Sequence, residues 1–225
     1  MLIRKKRDVI KLYPTVWPVC EKFPVIPVGI GGMEMKRRVL LVIDMLNDFI
    51  NPAGVLYCGD GARKIIPVIR SLIEEFAAEG EPVVFVRDAH AQNDKEFELF
   101  APHAIKGSWG SDVIPELAPG PNSFIVDKTR FSGFFGNKLA ELLEDVKPEE
   151  VWVTGVLTSI CVMDTTGGLR DRDYAAVIPV DAVADIDPVW HEFALERMKR
   201  IYGARLIKAL TREKEIPTAG LKEEK

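Results

Sequence analysis

The chain has 225 residues, 47% of them hydrophobic and 28% charged, a length that suits one α/β domain and a composition that excludes a disordered chain. Its 30 basic and 34 acidic residues leave a formal charge of -4 without a basic stripe, so no nucleic-acid partner is expected. No apolar run approaches the roughly 18 residues of a membrane span, and three cysteines, too few for a disulfide framework, suit a reducing cytoplasm.

Residues 1–34 are broken by Pro14, Pro18, Pro24 and Pro27 among charged side chains, which predicts an irregular extension and not a signal peptide. Gly29-Ile-Gly-Gly32 precedes a strand instead of following one, so it is no dinucleotide fingerprint. From residue 35 to 212 strand and helix patterns alternate. Apolar runs at Val39–Ile43, Pro82–Val86, Ser123–Val126, Val151–Thr154, Ala175–Val180 and Ala204–Ile207 have strand length and no polar alternation, the mark of strands buried on both faces. Helical spacing runs over residues 62–79, 138–146, 161–173 and 188–202, the last opening on Asp187-Pro188 and stopping at Gly203. These elements predict a doubly wound, Rossmann-like α/β domain: six parallel strands with helices on both faces. Residues 88–121 lack regular patterning, and long loops of this kind are usually functional. Residues 213–225 form a charged tail.

Open α/β sheets build their sites at the C-terminal strand ends. There the sequence places Asp44, then Asp88 with His90, then Lys128, and then Cys161 at the start of a helix. Singly, each has a structural reading: Asp44 a loop cap, Lys128 a solvated strand end, Cys161 a small buried apolar residue. Together they form a reactive set. A helix N-terminus and the Lys128 cation are expected to lower the thiol pKa. Asp44 can then accept the thiol proton and return it to a leaving amine, while N–H groups of the turn over residues 156–161 hold the oxyanion. This is amide chemistry through a cysteine.

Three blocks carry a family likeness: Val42-Ile-Asp-Met-Leu-Asn-Asp-Phe49, Lys128-Thr-Arg-Phe-Ser-Gly-Phe134 and Gly155-Val-Leu-Thr-Ser-Ile-Cys-Val162. In order and spacing, over roughly residues 37–207, the sequence resembles the isochorismatase-like cysteine hydrolases. The resemblance implies a catalytic triad of Asp44, Lys128 and Cys161, a cis peptide at Val156–Leu157, and an oxyanion hole from the N–H groups of Leu157 and Cys161. It also implies strand order 3-2-1-4-5-6, a small amide as substrate and a homo-oligomer, with no membrane and no organic cofactor. Toward the nicotinamidase branch, Asp88, His90 and His103 match ligands of a divalent ion (Zn, Mn or Fe), and Phe49 and Phe100 match aromatics around the substrate ring.

Departures are visible as well. The chain has Asp88-Ala-His-Ala91 where nicotinamidases usually carry Asp-Trp-His-Pro, Asp94 near the position of a frequent fourth ligand, and phenylalanine at 100 in place of tryptophan. Amidases acting on ureidoacrylate, N-carbamoylsarcosine or maleamate therefore stay open beside nicotinamide, as does a binding member without catalysis. Isochorismatase proper fits less well, since its nucleophilic cysteine is typically absent. His191 receives no role from the sequence.

Overall fold

The computed structural model describes residues 37–121 and 123–210. The extension over residues 1–34 and the tail over 213–225 lie outside the described residues. Strands are β1 Arg38–Ile43, β2 Val83–Asp88, β3 Ser123–Lys128, β4 Glu150–Val156, β5 Ala176–Pro179, β6 Val183–Ala184 and β7 Arg205–Ile207. Helices are α1 Asn47–Ile50, α2 Gly59–Lys64, α3 Ile66–Ala78, α4 Leu139–Val146, α5 Met163–Arg170 and α6 Pro188–Arg200.

Every strand pair is parallel, in the order β3-β2-β1-β4-β5-β7, with β6 pairing β4. The expected order holds, with β7 as the sixth strand of the path. The sheet has seven strands and not six. Two-residue β6 is too short to leave an apolar run, and it extends the edge of β4 only at Gly155 and Val156.

The uninterrupted apolar strands serve two cores. From β1, Leu40 and Val42 join Ile69, Leu72 and Phe76 of α3 on one face. Val39, Leu41 and Ile43 join Leu143 of α4, Leu169 of α5 and Leu195 of α6 on the other. Alternate side chains of a strand point to opposite faces, so a strand covered by helices on both sides must be apolar throughout. Each fully buried side chain of this kind contributes about 1.5–3 kcal/mol relative to exposure.

Three boundaries differ from the periodicity. The helix expected over residues 62–79 breaks at Ile65, because Pro67 at the start of α3 donates no N–H and suits a fresh first turn. The helix expected from Cys161 begins earlier, with a wide π-type turn over Thr158–Val162 that runs into α5. The long loop after β2 holds short 3-10 turns at Lys95–Glu98, Trp109–Ser111 and Pro115–Leu117. At α6, the Asp187 carboxylate accepts the Val189 N–H at 2.7 Å, as the cap reading expects.

Candidate active site

β1 and β4 are neighbours from which the chain leaves in opposite directions across the sheet. Asp44 ends β1 with φ 52, a left-handed conformation uncommon outside glycine, and its N–H donates to Val86 O at 2.9 Å. Such outliers persist where surrounding structure over-determines them. Opposite Ile43 stands Gly155 at φ +110, where a Cβ would come within 1.9 Å of Ile43 O. Only glycine lets the two strand ends approach so closely.

Asp88 and Lys128 are register partners on β2 and β3 and share one face of the sheet. The fully buried Lys128 ammonium lies 2.8 Å from Asp44 Oδ2, 2.6 Å from Asp88 Oδ1 and 3.5 Å from Cys161 Sγ. Asp44 Oδ1 accepts the Asp88 N–H at 2.9 Å. All four residues are buried, so their charges act through little water. Burial, with the Asp88 carboxylate alongside, pushes Asp44 up to about 6 against the pull of Lys128. Burial alone would lower the Lys128 pKa, but the charges of Asp44, Cys161 and Asp88 raise it well above the usual lysine range.

Cys161 departs from expectation. Burial lifts its thiol well above the ordinary value, and Lys128 does not compensate because Asp44 and Asp88 add their negative charge. One ammonium faces two carboxylates, so a thiolate would bring a third negative group to one cation.

The peptide Val156–Leu157 is cis. Within the following turn the N–H of Ser159 goes to Asp185 Oδ2 at 2.7 Å, and those of Ile160 and Val162 go to Leu157 O. Those three N–H groups are committed within the fold.

Beside this cluster, Asp88, His90, Glu96 and His103 bring one donor atom each within 4.8 Å of one another, all buried. Both ring nitrogens of His90 and Oε2 of Glu96 are buried without a well-formed hydrogen bond, a costly condition that a cation bound to one imidazole nitrogen and the carboxylate would relieve in part. His103 Nδ1 lies 2.8 Å from Ala101 O; with the proton there, the Nε2 lone pair is free for a ligand. Carboxylate and imidazole donors of this kind suit Zn, Mn or Fe. The residues present fit a divalent ion.

Glu96 escaped the sequence reading, since it lies in a loop without motif spacing. Asp94, which stands near the fourth-ligand position in sequence, instead accepts the Glu96 N–H, pairs with Arg130 and sits 3.3 Å from His90 Nδ1. Asp48 was also unassigned. Its buried carboxylate accepts the N–H groups of Ala104 and Val55, tying the His103 loop to one wall of the cavity. A cavity of about 360 Å³ joins the two clusters, lined by Asp44, Cys161, Glu96 and His103 together with Phe49, Phe100, Phe131 and Leu157. Phe131 lines the cavity beside Phe49 and Phe100 and meets the Phe100 ring edge to face.

Residues 38–212 match the model of the Isochorismatase domain. A curated relative, an "uncharacterized isochorismatase family protein PncA" from Bacillus subtilis (strain 168), is 34% identical over 76% of this chain and 98% of its own. Among solved structures, nicotinamidase/pyrazinamidase PncA from Bacillus subtilis superposes with TM-score 0.73 at 35% identity, over 76% of this chain and 100% of its own. N-carbamoylsarcosine amidase from Thermoplasma acidophilum gives 0.72 at 34%, over 79% and 99%. Pyrazinamidase of Pyrococcus horikoshii, in complex with zinc, gives 0.72 at 29%, over 76% and 99%. On the matched domain and these similarities along nearly the full length of the relatives, the chain belongs to the isochorismatase family.

Proposed function

We propose that this protein hydrolyses a small, neutral aromatic carboxamide, nicotinamide foremost, to the carboxylate and ammonia. One observation carries the substrate class. Among the described residues lining the cavity there is no lysine or arginine; the charged ones are Asp44, Asp88 and Glu96, and the rest of the wall is largely apolar and aromatic. Lys128 stands behind, held between two carboxylates. Away from the cluster that fits a divalent ion, a substrate carboxylate would meet no side-chain cation in this wall, whereas a flat neutral ring meets Phe49, Phe100 and Phe131. The cavity volume is ordinary for a small-molecule site. The similarity to nicotinamidase structures supports the same reading.

Cys161 Sγ attacks the amide carbon while Asp44 takes the thiol proton. A neutral thiol is a weak nucleophile, so transfer and attack proceed together, and the raised proton affinity of Asp44 suits it to the task. The carbonyl oxygen becomes an oxyanion held by the N–H groups of Leu157 and Cys161. Lys128 keeps Asp44 in place and offsets the charge that develops on sulfur. Asp44 then returns the proton to nitrogen, the C–N bond breaks, and ammonia leaves a thioester on Cys161. Water, deprotonated by Asp44, attacks the thioester; the carboxylic acid departs and the thiol is restored. A divalent ion on Asp88, His90, Glu96 and His103, when bound, supplies a Lewis acid for a ring nitrogen and orients the substrate.

Ammonia release across a panel of amides tests this. Nicotinamide is expected to exceed maleamate and N-carbamoylsarcosine in kcat/KM by about 10²-fold or more, the size of discrimination that an unmatched charge carries. Faster turnover of either anionic amide would overturn the assignment.

A further inference from the structure

We propose that His191 is a positioning residue: by fixing the Thr158 hydroxyl it holds the N–H groups of Leu157 and Cys161 where an oxyanion forms. The proposal rests on the amidase reading above for its catalytic consequence, but not for its structural one.

Thr158 is the first residue of the wide turn, between Leu157 and Cys161, and is fully buried. Its Oγ1 lies 2.9 Å from His191 Nδ1 on α6. A buried hydroxyl without a partner is costly, and imidazole nitrogen can serve as donor or acceptor to it. Deep in this seam Leu195 and Met198 of α6 share one core with Cys161 and Val162 of the turn, but its outer end is open. Ile160 and Met163 of the turn region and Trp190 and Phe193 of α6 border a cleft of about 350 Å³ beside the catalytic cavity, with Trp190 57% and Phe193 49% exposed. Where side chains leave such a gap, dispersion holds the outer, Thr158 end of the turn less firmly than the core end. Among the described residues, two polar side-chain ties stand beside it. Asp185 holds the Ser159 N–H at 2.7 Å, and His191 holds the Thr158 side chain. Both act on the stretch between Leu157 and Cys161, Asp185 on a backbone N–H and His191 on the side chain of the residue that directly follows Leu157. An oxyanion hole works because its donors are fixed before charge develops, so a loosened Thr158 lowers kcat more than it alters KM.

Two pairs of variants in the full-length, metal-loaded protein test this: Thr158→Val against Thr158→Ser, and His191→Phe against His191→Asn. Valine keeps the shape without the hydroxyl, serine keeps the hydroxyl, phenylalanine keeps a ring without nitrogen, and asparagine keeps polar atoms. Hydrogen exchange over residues 156–163 is read without substrate, and steady-state kinetics with nicotinamide. The valine and phenylalanine variants should exchange faster in that segment alone. Their kcat should fall about 10- to 100-fold, short of the 10²–10³ lost with an oxyanion donor itself, with KM nearly unchanged. Serine and asparagine should restore much of both, and Thr158→Val with His191→Phe should be no worse than either alone. Unchanged exchange in the valine and phenylalanine variants would overturn the proposal whatever the kinetics. Equal kcat losses for Thr158→Ser and Thr158→Val would overturn it too. If the wild-type protein released ammonia from no amide, the amidase reading would fall while exchange still decided the role of His191.

Discussion

Lys128 Nζ lies 2.6 Å from Asp88 Oδ1, across one register pair of neighbouring strands. Asp88 is thereby a member of both clusters. It is a donor in the group with His90, Glu96 and His103, and through Lys128 it is linked to Asp44 and Cys161. The cation sits at a junction, and substitutions on either side should be felt on the other.

Lys128→Met is expected to abolish turnover and to destabilise the fold by about 3–5 kcal/mol, because it leaves two buried carboxylates without their counter-charge. Adding Asp88→Asn to Lys128→Met should recover part of that loss without restoring activity. Denaturant melts together with ammonia release check both parts. Cys161→Ala should remove turnover while the protein stays folded, and a clean preparation with substantial turnover would end the covalent mechanism.

Removing a bound divalent ion by chelation should raise KM for nicotinamide strongly, while benzamide, which lacks the ring nitrogen, stays a poor substrate in either state. Glu96→Gln should weaken zinc binding. Asp94→Ala, which removes the carboxylate beside His90 and the partner of Arg130, should weaken it by about 10- to 100-fold. Calorimetric titration with zinc measures each. Wild-type affinity in both variants would exclude this cluster as the site.

Alkylation of Cys161 in the metal-free protein should be slow at neutral pH, since burial and the charges of Asp44 and Asp88 push the thiol pKa up. Asp44→Asn removes one of those charges. It should speed alkylation and yet lose turnover, because the base has gone. Cys58, raised to about 12 by burial and by the Asp44 and Asp185 charges, should remain inert throughout. Mass spectrometry of the modified peptides separates the two thiols.

Asp127 offers a stability measurement away from the chemistry. Burial raises its pKa, but the Arg87 guanidinium at 2.6 Å and the Lys106 ammonium at 3.2 Å outweigh it and hold the carboxyl below its usual range. A depressed carboxyl adds stability above its unfolded value of 3.8 and loses it as pH falls through the folded one. Asp127→Asn should thus cost about 1 kcal/mol at neutral pH and progressively less in acid below 3.8. A penalty unchanged at low pH would show that packing, not charge, sets it.

The sequence by itself determined the class of sheet, its buried strands and the rim on which Asp44, Asp88, Lys128 and Cys161 meet. Those features are written in local patterns: strands covered on both faces must be uniformly apolar, and a parallel sheet presents the residues after its strands along one edge. What only tertiary structure decided is contact between groups far apart in the chain. Glu96 joins His90 and His103 because a short 3-10 turn capped by Asp94 aims it inward, and no periodicity encodes that. β6 is two residues long, too few to make a pattern. His191 looked like any polar residue of an amphipathic helix until α6 packed against the turn carrying Thr158. The ionisation of Cys161 turned on the same point: the chain announces a cysteine near a lysine, but the thiol is raised because Lys128 is already shared between two buried carboxylates brought in by separate strands.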